Sequence, residues 1–439
     1  MSDQELQDKT TAPAQQHPAD IADRLQEMAT DDAVETLRSL STELASEVLS
    51  ELDEDTASQI TAELTSEEIS ELLEELPHDE MADIAAELPA EQRLEVLSNL
   101  PEEEQEIVSN LMKYPPDSAG GIMTDEFIYL HADLTVEQAM NKLRWSDPDD
   151  DQEGVSYVYV VDEAEKLIGV VTIRDLVFKS QKRKLRDLVL QDVQVVHVDD
   201  DQEKVAQLFS QYHFLALPVV ESDGRLVGMV EASQVYDIIQ DEATEDMQLM
   251  VGLSGEENTF TPWPKSLSRR LPWLLVNLAT AFLAAAVVGM FEGTIAKWTT
   301  LAVFLPIVAG QGGNAGMQTL TVIIRGMALG EISGKAGRKA LTKETILGLL
   351  NGIAIGIVVG LIGYLWKGNF ALGIIIALAM FLNMFAAALS GVLIPFALKA
   401  VKVDPALASS IFLTTVTDVA GFFFFLGLAA LAMRFMGVA

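Results

Sequence analysis

The 439-residue sequence contains no cysteine, which excludes a disulfide framework and any thiolate-bound metal. Basic residues are scarce: 29 Lys and Arg stand against 66 Asp and Glu, a net charge of −37. The shortage is uneven. Residues 1–264 hold 16 basic and 61 acidic side chains, a net of −45, whereas from Lys265 onward there are 13 basic and 5 acidic ones, a net of +8. An acidic surface of that size repels phosphates, so no nucleic-acid partner is expected. The second part also lacks histidine and any acid cluster, which sets soft and borderline metals behind hard cations. The opening MSDQELQDKT has neither a basic start nor an apolar core. No signal peptide is therefore expected, and the acidic part is expected to stay in the cytosol. No nucleophile–base set is recognisable, so the chain does not read as an enzyme.

What is present is strongly patterned. Residues 1–20 read as a disordered tail and 21–116 as a helical-repeat domain. Leu40, Leu52, Leu64, Leu76, Leu88 and Leu100 recur every 12 residues, each with Thr36, Val48, Ile60, Leu72, Ile84 or Val96 four positions earlier. That i, i+4 pair is one face of a helix. Ser41, Asp53, Thr65, Pro77, Pro89 and Pro101 follow the leucines and read as N-caps or first-turn residues. The unit is a short helix, capped and restarted, and such units stack into an all-α superhelix. A continuous coiled coil is excluded by the three prolines.

From Asp117 an αββα-like unit occurs twice, over 117–186 and 187–248. SYVYVV (156–161) and LIGVVT (167–172) read as strands before a helix over 174–178. VQVVHV (193–198), a helix near 202–212, ALPVV (216–220), RLVGMV (225–230) and a helix over 233–239 follow. The tandem resembles a pair of cystathionine-β-synthase (CBS) domains, through Gly121-Ile122-Met123-Thr124 and Gly169-Val170-Val171-Thr172-Ile173-Arg174-Asp175. By that resemblance Thr172 and Asp175 are the adenosine-nucleotide candidates, for ATP or a relative of it. The second copy departs from the pattern, with Glu231 in place of the hydroxyl and Gln234 in place of the aspartate. A purely structural role for both glycine turns stays open.

Five apolar segments, at about 271–291, 298–324, 344–366, 371–397 and 406–433, are each near or above the length that spans a bilayer. Lys265, Arg269, Arg270, Arg325, Lys335, Arg338, Lys339, Lys343, Lys399 and Lys402 flank one side, and Lys297, Lys367 and Arg434 the other. The positive-inside rule then places the N-terminal part in the cytosol and the C-terminus outside. Asp418 is the one acid read as lying well inside a segment, with Thr414 one helical turn before it. A lone intramembrane carboxylate beside hydroxyls suits a hard cation such as Mg2+, which sheds water reluctantly and needs few carboxylates. The second segment carries Gly310-Gln311-Gly312-Gly313-Asn314-Ala315-Gly316-Met317-Gln318. This composition reads as helix broken at membrane depth to line a cavity, with close packing through small residues as the alternative. Asn277, Asn351 and Asn383 read as interhelical hydrogen-bond partners.

The whole order resembles the MgtE family of magnesium channels: superhelix, CBS pair, connecting helix over 249–268, and a transmembrane domain over 269–439. The specific marks are Gly310–Gln318, Glu242–Met247 (EATEDM), Asp404-Pro405-Ala406 and Thr414–Asp418. The resemblance implies a multi-domain membrane protein with an all-α superhelix, an α+β CBS pair and an all-α five-helix transmembrane domain. It implies a homodimer in the cytoplasmic membrane with a pore between the second and fifth helices. Asp418 falls on the family's pore aspartate and Asn314 in its pore turn. Asp404 falls at the cytosolic mouth, facing acids of a plug helix, for which Glu256 and Glu257 are candidates. Asp241, Glu242, Glu245, Asp246 and Asp223 become candidates for sensing cytosolic Mg2+. A Na+-coupled or less selective divalent-cation transporter, and a membrane-anchored nucleotide or ion sensor, remain as other readings. Solubility or adaptation to high salt is the plain account of the acid surplus.

Overall fold

The computed structural model describes residues 17–145, 157–190, 192–255, 257–259, 261–332, 335–407 and 409–435. Of the expected tail, the part up to residue 16 lies outside these, and Pro18 already begins a helix. The chain divides into two compact units, Met1–Ile239 and Gln240–Ala439.

The first unit opens with eight short helices: α1 (Pro18–Gln26), α2 (Thr30–Arg38), α3 (Thr42–Ser50), α4 (Glu54–Thr61), α5 (Ser66–Leu73), α6 (His78–Glu87), α7 (Ala90–Asn99) and α8 (Glu102–Leu111). The 12-residue period survives as architecture. Ser41, Asp53, Thr65, Pro77, Pro89 and Pro101 are the N-cap residues of α3 to α8. Thr65 forms a full capping box with Glu68, satisfying two backbone donors that a helix start leaves open. Each helix is too short to stand alone. Alternate helices pack together, α4 beneath α2 and α6, for example. Val48, Ile60 and Val96 are completely buried in the shared core.

Two three-stranded sheets follow, built alike. Strand β1 (Tyr129–His131) runs parallel to β2 (Tyr157–Val161), which pairs antiparallel with β3 (Leu167–Thr172). In the second sheet β4 (Val196–His197), β5 (Ala216–Val220) and β6 (Leu226–Glu231) repeat the arrangement. The registers pair Tyr157 with Thr172 and Ala216 with Glu231, the same place in each copy. Helices α9 (Val136–Trp145), α10 (Ile173–Phe178), α11 (Gln202–Tyr212) and α12 (Ala232–Met250) complete the copies. The sequence pattern did not reveal β1 and α9, and only two residues of the expected strand over 193–198 join a ladder. Gln234, the residue that breaks the CBS pattern, has structural work: its Nε2 donates to Asp79 Oδ2 at 2.7 Å, fastening α12 to the start of α6. Beside it His78 Nδ1 lies 3.0 Å from Asp125 Oδ1, and that carboxylate raises the imidazole pKa.

The second unit contains the end of α12, then α13 (Trp263–Met290), α14 (Glu292–Lys297), α15 (Leu301–Ala328), α16 (Lys335–Lys367), α17 (Phe370–Ala400) and α18 (Ser409–Phe435). The expected connecting helix over 249–268 is corrected. The helical stretch is 232–250, a direct continuation of the second CBS copy. The described residues between 251 and 262 are non-helical, and Pro262 caps α13. Helix α17 is the hub, packing on α15, α16 and α18. Gly348, Gly352, Gly356 and Gly360 let α16 lie directly on α17, since a Cβ at any of them would sit 2.4–3.1 Å from an α17 atom. Of the five long helices, α13, α16, α17 and α18 are long and apolar enough to cross a membrane. Helix α15 is as long as α13 but diluted by its glycines and amides.

Burial pushes the Asp79 carboxyl up, and the nearby Asp125 charge adds to the effect. A carboxyl whose folded pKa exceeds its unfolded one makes the folded state bind more protons, so stability falls as pH rises from the ordinary carboxylate range through the raised value. Asp79→Asn keeps an acceptor for Gln234 and removes that dependence. Its melting temperature is expected to exceed the wild type's at pH 8, with the difference shrinking towards pH 4. Parallel curves at both pH values would refute this account of Asp79.

Candidate ion path

Helix α15 has two unlike faces. Gly312, Gly316, Thr319 and Ile323 are buried against other helices, while Gln311, Asn314, Gln318, Thr321 and Arg325 are exposed on the protomer. At 3.6 residues per turn these sets lie on opposite sides of the helix. The expectation of a broken helix here is corrected: α15 is continuous from Leu301 to Ala328. Pro306 falls in its second turn, and the glycines are held by neighbours. A Cβ at Gly312 would lie 2.2 Å from Asn383 Nδ2, and one at Gly316 2.8 Å from a Leu413 methyl.

Asn383 of α17 is fully buried, and its Nδ2 donates to Val308 O at 2.9 Å. It occupies a slot that Gly421 of α18 also borders, at 2.7 Å from a built Cβ. It is therefore the interhelical partner its residue type suggested.

The contacts run in opposite directions along α15 and α18. Gly312 shares Asn383 with Gly421, and Gly316 meets Leu413. Leu320 and Ile324 cluster with Ala406 and Leu413. The helices are therefore antiparallel, and Asn314 and Asp418 fall at the same height. Asp418 is half-buried. Thr414 and Thr415 Oγ1 both donate to Ile411 O, at 3.1 and 2.7 Å, and Thr417 Oγ1 donates to Thr414 O at 3.1 Å. With the hydroxyl hydrogens turned into the helix, the oxygens present lone pairs, the donor set that a hard cation or its water shell needs.

A second acidic group lies at the cytosolic end expected for α18. Asp404 Oδ1 accepts from Ala406 N at 2.6 Å, fixing the turn that enters α18. Desolvation, with Asp404, Glu242 and Glu245 around it, pushes Asp246 up to about 7. Glu242, Glu245 and Asp246 are partly buried along α12, and Asp241 is exposed. The apolar end of this helix, Leu249, packs with Leu320, Ile324 and Leu413.

Glu257 is engaged elsewhere: Arg270 Nε donates to its two oxygens at 2.9 and 3.0 Å, and this pairing lowers its pKa. Glu256 lies outside the described residues. Asp223 serves the β5–β6 turn, accepting from Arg225 N at 3.1 Å through Oδ1 and from Lys166 Nζ at 2.6 Å through its carbonyl. Thr172 and Asp175 cap α10 together: Thr172 Oγ1 donates to Asp175 Oδ2 at 3.0 Å and accepts from Asp175 N at 3.1 Å. Among the described residues no three acidic or imidazole groups converge as a metal cage. Besides Asp79, a second buried acid is absent from the sequence reading. Glu344, the first residue of the third expected apolar segment, is 6% exposed and accepts from Thr319 Oγ1 at 3.1 Å.

Comparison with known proteins bears on this geometry. The family model described as MgtE, divalent cation transporter, matches residues 305–428, and that of the MgtE intracellular N domain matches 16–117. CBS domain models match 119–182 and 185–241. The magnesium transporter MgtE of Bacillus subtilis is 35% identical over 327 residues, 74% of this chain and 72% of that one. Its counterpart from Thermus thermophilus is 34% identical over 330 residues, with the same coverage of 74% and 72%. Among solved structures, the cytosolic domain of the Mg2+ channel MgtE in complex with ATP is 34% identical, covering 51% of this chain and 91% of that one at a TM-score of 0.48.

The glycine–asparagine slot yields a direct prediction. Gly312→Ala places a methyl on Asn383, so the pair must separate or the amide must give up Val308. Overpacking of this kind costs about 1–3 kcal/mol. The expected outcome is a lower melting temperature in detergent, with Gly313→Ala, which meets nothing within 4 Å, unchanged. Equal melting of the two variants would contradict the slot.

Proposed function

The chain belongs to the MgtE family and is a membrane transporter of Mg2+, not an enzyme; from that premise we propose that hydrated Mg2+ passes along the polar face of α15 at the height of Asp418. The observation that carries this reading is the exposed row Gln311, Asn314 and Gln318 on a helix whose opposite face is buried. Such a row is costly against lipid and needs water or another polar surface. A second copy of the chain meets that need by apposing two α15 faces, so the assembly is a homodimer with the path at its centre. Asp418 supplies charge to the passing ion. Thr414 and Asn314 supply neutral oxygens to its water shell, which Mg2+ retains because dehydration is slow and costly. The acidic part faces the cytosol and the C-terminus lies outside, as the distribution of Lys and Arg supports.

Gating follows from the acid on α12. With a pKa of about 7, Asp246 is close to half-protonated at neutral pH. Its packing near Asp404, Glu242 and Glu245 stores repulsion that a proton or a divalent cation relieves. Cytosolic Mg2+ binding among Asp241, Glu242, Glu245, Asp246 and Asp404 stabilises the packed arrangement of α12 on α15 and α18, and a ligand favours the state it binds. Glu257 does not join this set, because Arg270 holds it. An adenosine nucleotide at Thr172 and Asp175 requires the cap of α10 to reorganise or to present its outer lone pairs.

Two measurements test the reading. In proteoliposomes with an internal Mg2+ indicator, Asp418→Ala is expected to lower Mg2+ uptake at least tenfold at unchanged protein incorporation, with wild-type uptake indifferent to a Na+ gradient. Undiminished uptake by Asp418→Ala removes the proposed path, and dependence on opposing Na+ replaces channel-like flux with exchange. For the gate, 10 mM Mg2+ is expected to slow proteolysis within 251–262 severalfold in the wild type and less in Asp246→Asn. Equal cleavage with Mg2+ and with chelator would overturn the gating account.

A further inference from the structure

Helix α15 is held at two points on its buried face, and they bracket the glycine–amide stretch. Near its start, Asn383 of α17 holds Val308 O. Eleven residues later Thr319 Oγ1 donates to Glu344 Oε2 of α16 at 3.1 Å. Gly310–Gln318 lies between the two. The second tie is unusual in its cost. Glu344 and Thr319 are each 6% exposed, and the other Glu344 oxygen is 3.1 Å from Lys343 Nζ, whose own side chain is 62% exposed. A buried carboxylate is expensive to desolvate, and an apolar residue of similar volume is often the more stabilising choice. Packing alone therefore does not account for it.

What it does account for is orientation. Glycines weaken a helix against twisting and sliding, and α15 has four between 310 and 316. Helix α16 packs along α17 and meets α15 at few places, by Phe304 on Trp366 near one end and by apolar contact of Ile323 and Met327 with Ala340 and Leu341 near the other; Thr319–Glu344 is the side-chain hydrogen bond that ties the two. Thr319 is itself pressed on Gly391 of α17, where a built Cβ would lie 2.9 Å from the Thr319 Cβ. It cannot turn without leaving that seat. Because Asn314 lies about 140° and Gln318 about 100° round the same helix from Thr319, any rotation that breaks Thr319–Glu344 swings them off the ion path.

We propose that Glu344 is a positioning residue for transport: through Thr319 it sets the rotation of α15 and thereby aims Asn314 and Gln318 at the passing ion. The inference rests on the ion path proposed above. It concerns hydrogen-bond acceptance rather than charge, so Gln at 344 serves as well as Glu.

The test measures Mg2+ and Co2+ uptake side by side in proteoliposomes of the full-length protein, with Asp418→Ala as the control for the path itself. Glu344→Ala and Thr319→Val are expected to lower Mg2+ uptake five- to twentyfold and to raise the Co2+/Mg2+ uptake ratio at least threefold, a change that mere loss of folded protein would not produce. Glu344→Gln and Thr319→Ser are expected to stay within twofold of wild type. The double variant Glu344→Ala with Thr319→Val is expected to be no worse than either single one, because both remove the same bond. If Glu344→Ala does not fold, the near-isosteric Thr319→Val carries the test alone. Wild-type rates and ratio in Thr319→Val overturn the proposal, as does a loss in Glu344→Gln equal to that in Glu344→Ala. If Asp418→Ala transports normally, the ion path itself fails; if it is inactive while Thr319→Val is normal, only the positioning role does.

Discussion

Hydrocarbon offers no hydrogen bonds, and the arrangement of the second unit follows from how its polar groups meet that constraint. Helix α15 carries three amides and four glycines within Gly310–Gln318, a composition that neither lipid nor a helix in isolation favours. Its backbone nevertheless stays helical because its neighbours fill the gaps glycine leaves: Asn383 sits on Gly312 and Leu413 on Gly316. The same amide that fills the gap bonds Val308 O through Nδ2, so one side chain serves packing and a polar tie together, while its buried Oδ1 has no hydrogen-bond partner among the described residues. With one face committed to neighbours, the amides have only the other face available. The polar row on the protomer surface is thus a consequence of burying the glycines, and the homodimer proposal is a consequence of that row.

A parallel constraint acts on charge. The first 264 residues carry a net of −45 and the remainder +8, and one place where acid meets the transmembrane helices is the end of α12. There burial, with the charges of Asp404, Glu242 and Glu245 nearby, pushes the Asp246 carboxyl up to about 7. In the gate proposed above, a small cation at this packed contact relieves the mutual repulsion. The engagement of Glu257 by Arg270 and of Asp223 by its turn shows how many individual carboxylates have local structural employment.

Legibility in the sequence tracked the range of the physics involved. The superhelix was readable because its signals are local. Each cap, as at Asp53 or Thr65, precedes its helix by one residue, and each buried Ile or Val recurs at a fixed offset. Strands β2, β3 and β5 were readable for the same reason. The three-residue β1 was not, since its pairing with β2 is set by a partner about thirty residues away. The connecting helix was misplaced because EATEDM and the preceding CBS helix form one helical run, which the domain boundary drawn at 248 divided. The continuity of α15 escaped composition-based reasoning because it depends on Asn383 and Leu413, more than sixty residues distant. Glu344 begins an apolar segment next to Lys343 and carries no signal of its own in the sequence; only the tertiary fold shows it turned inward to Thr319. At the proposed ion path, Asp418 and Thr414 stand out by residue type and Asn314 through the family resemblance; the common height of Asn314 and Asp418 does not show in the sequence.

The absence of native cysteine makes the central claim directly measurable. Single substitutions Asn314→Cys, Gln318→Cys and Ile323→Cys in membranes can be exposed to a small, water-soluble, charged thiol reagent with and without Mg2+. An α15 that lines an aqueous path predicts rapid labelling at 314 and 318, slowing when Mg2+ occupies the path, and no labelling at 323. Absence of labelling at 314 and 318, with 323 equally inert, would contradict the account, because the polar face would then be sealed from water.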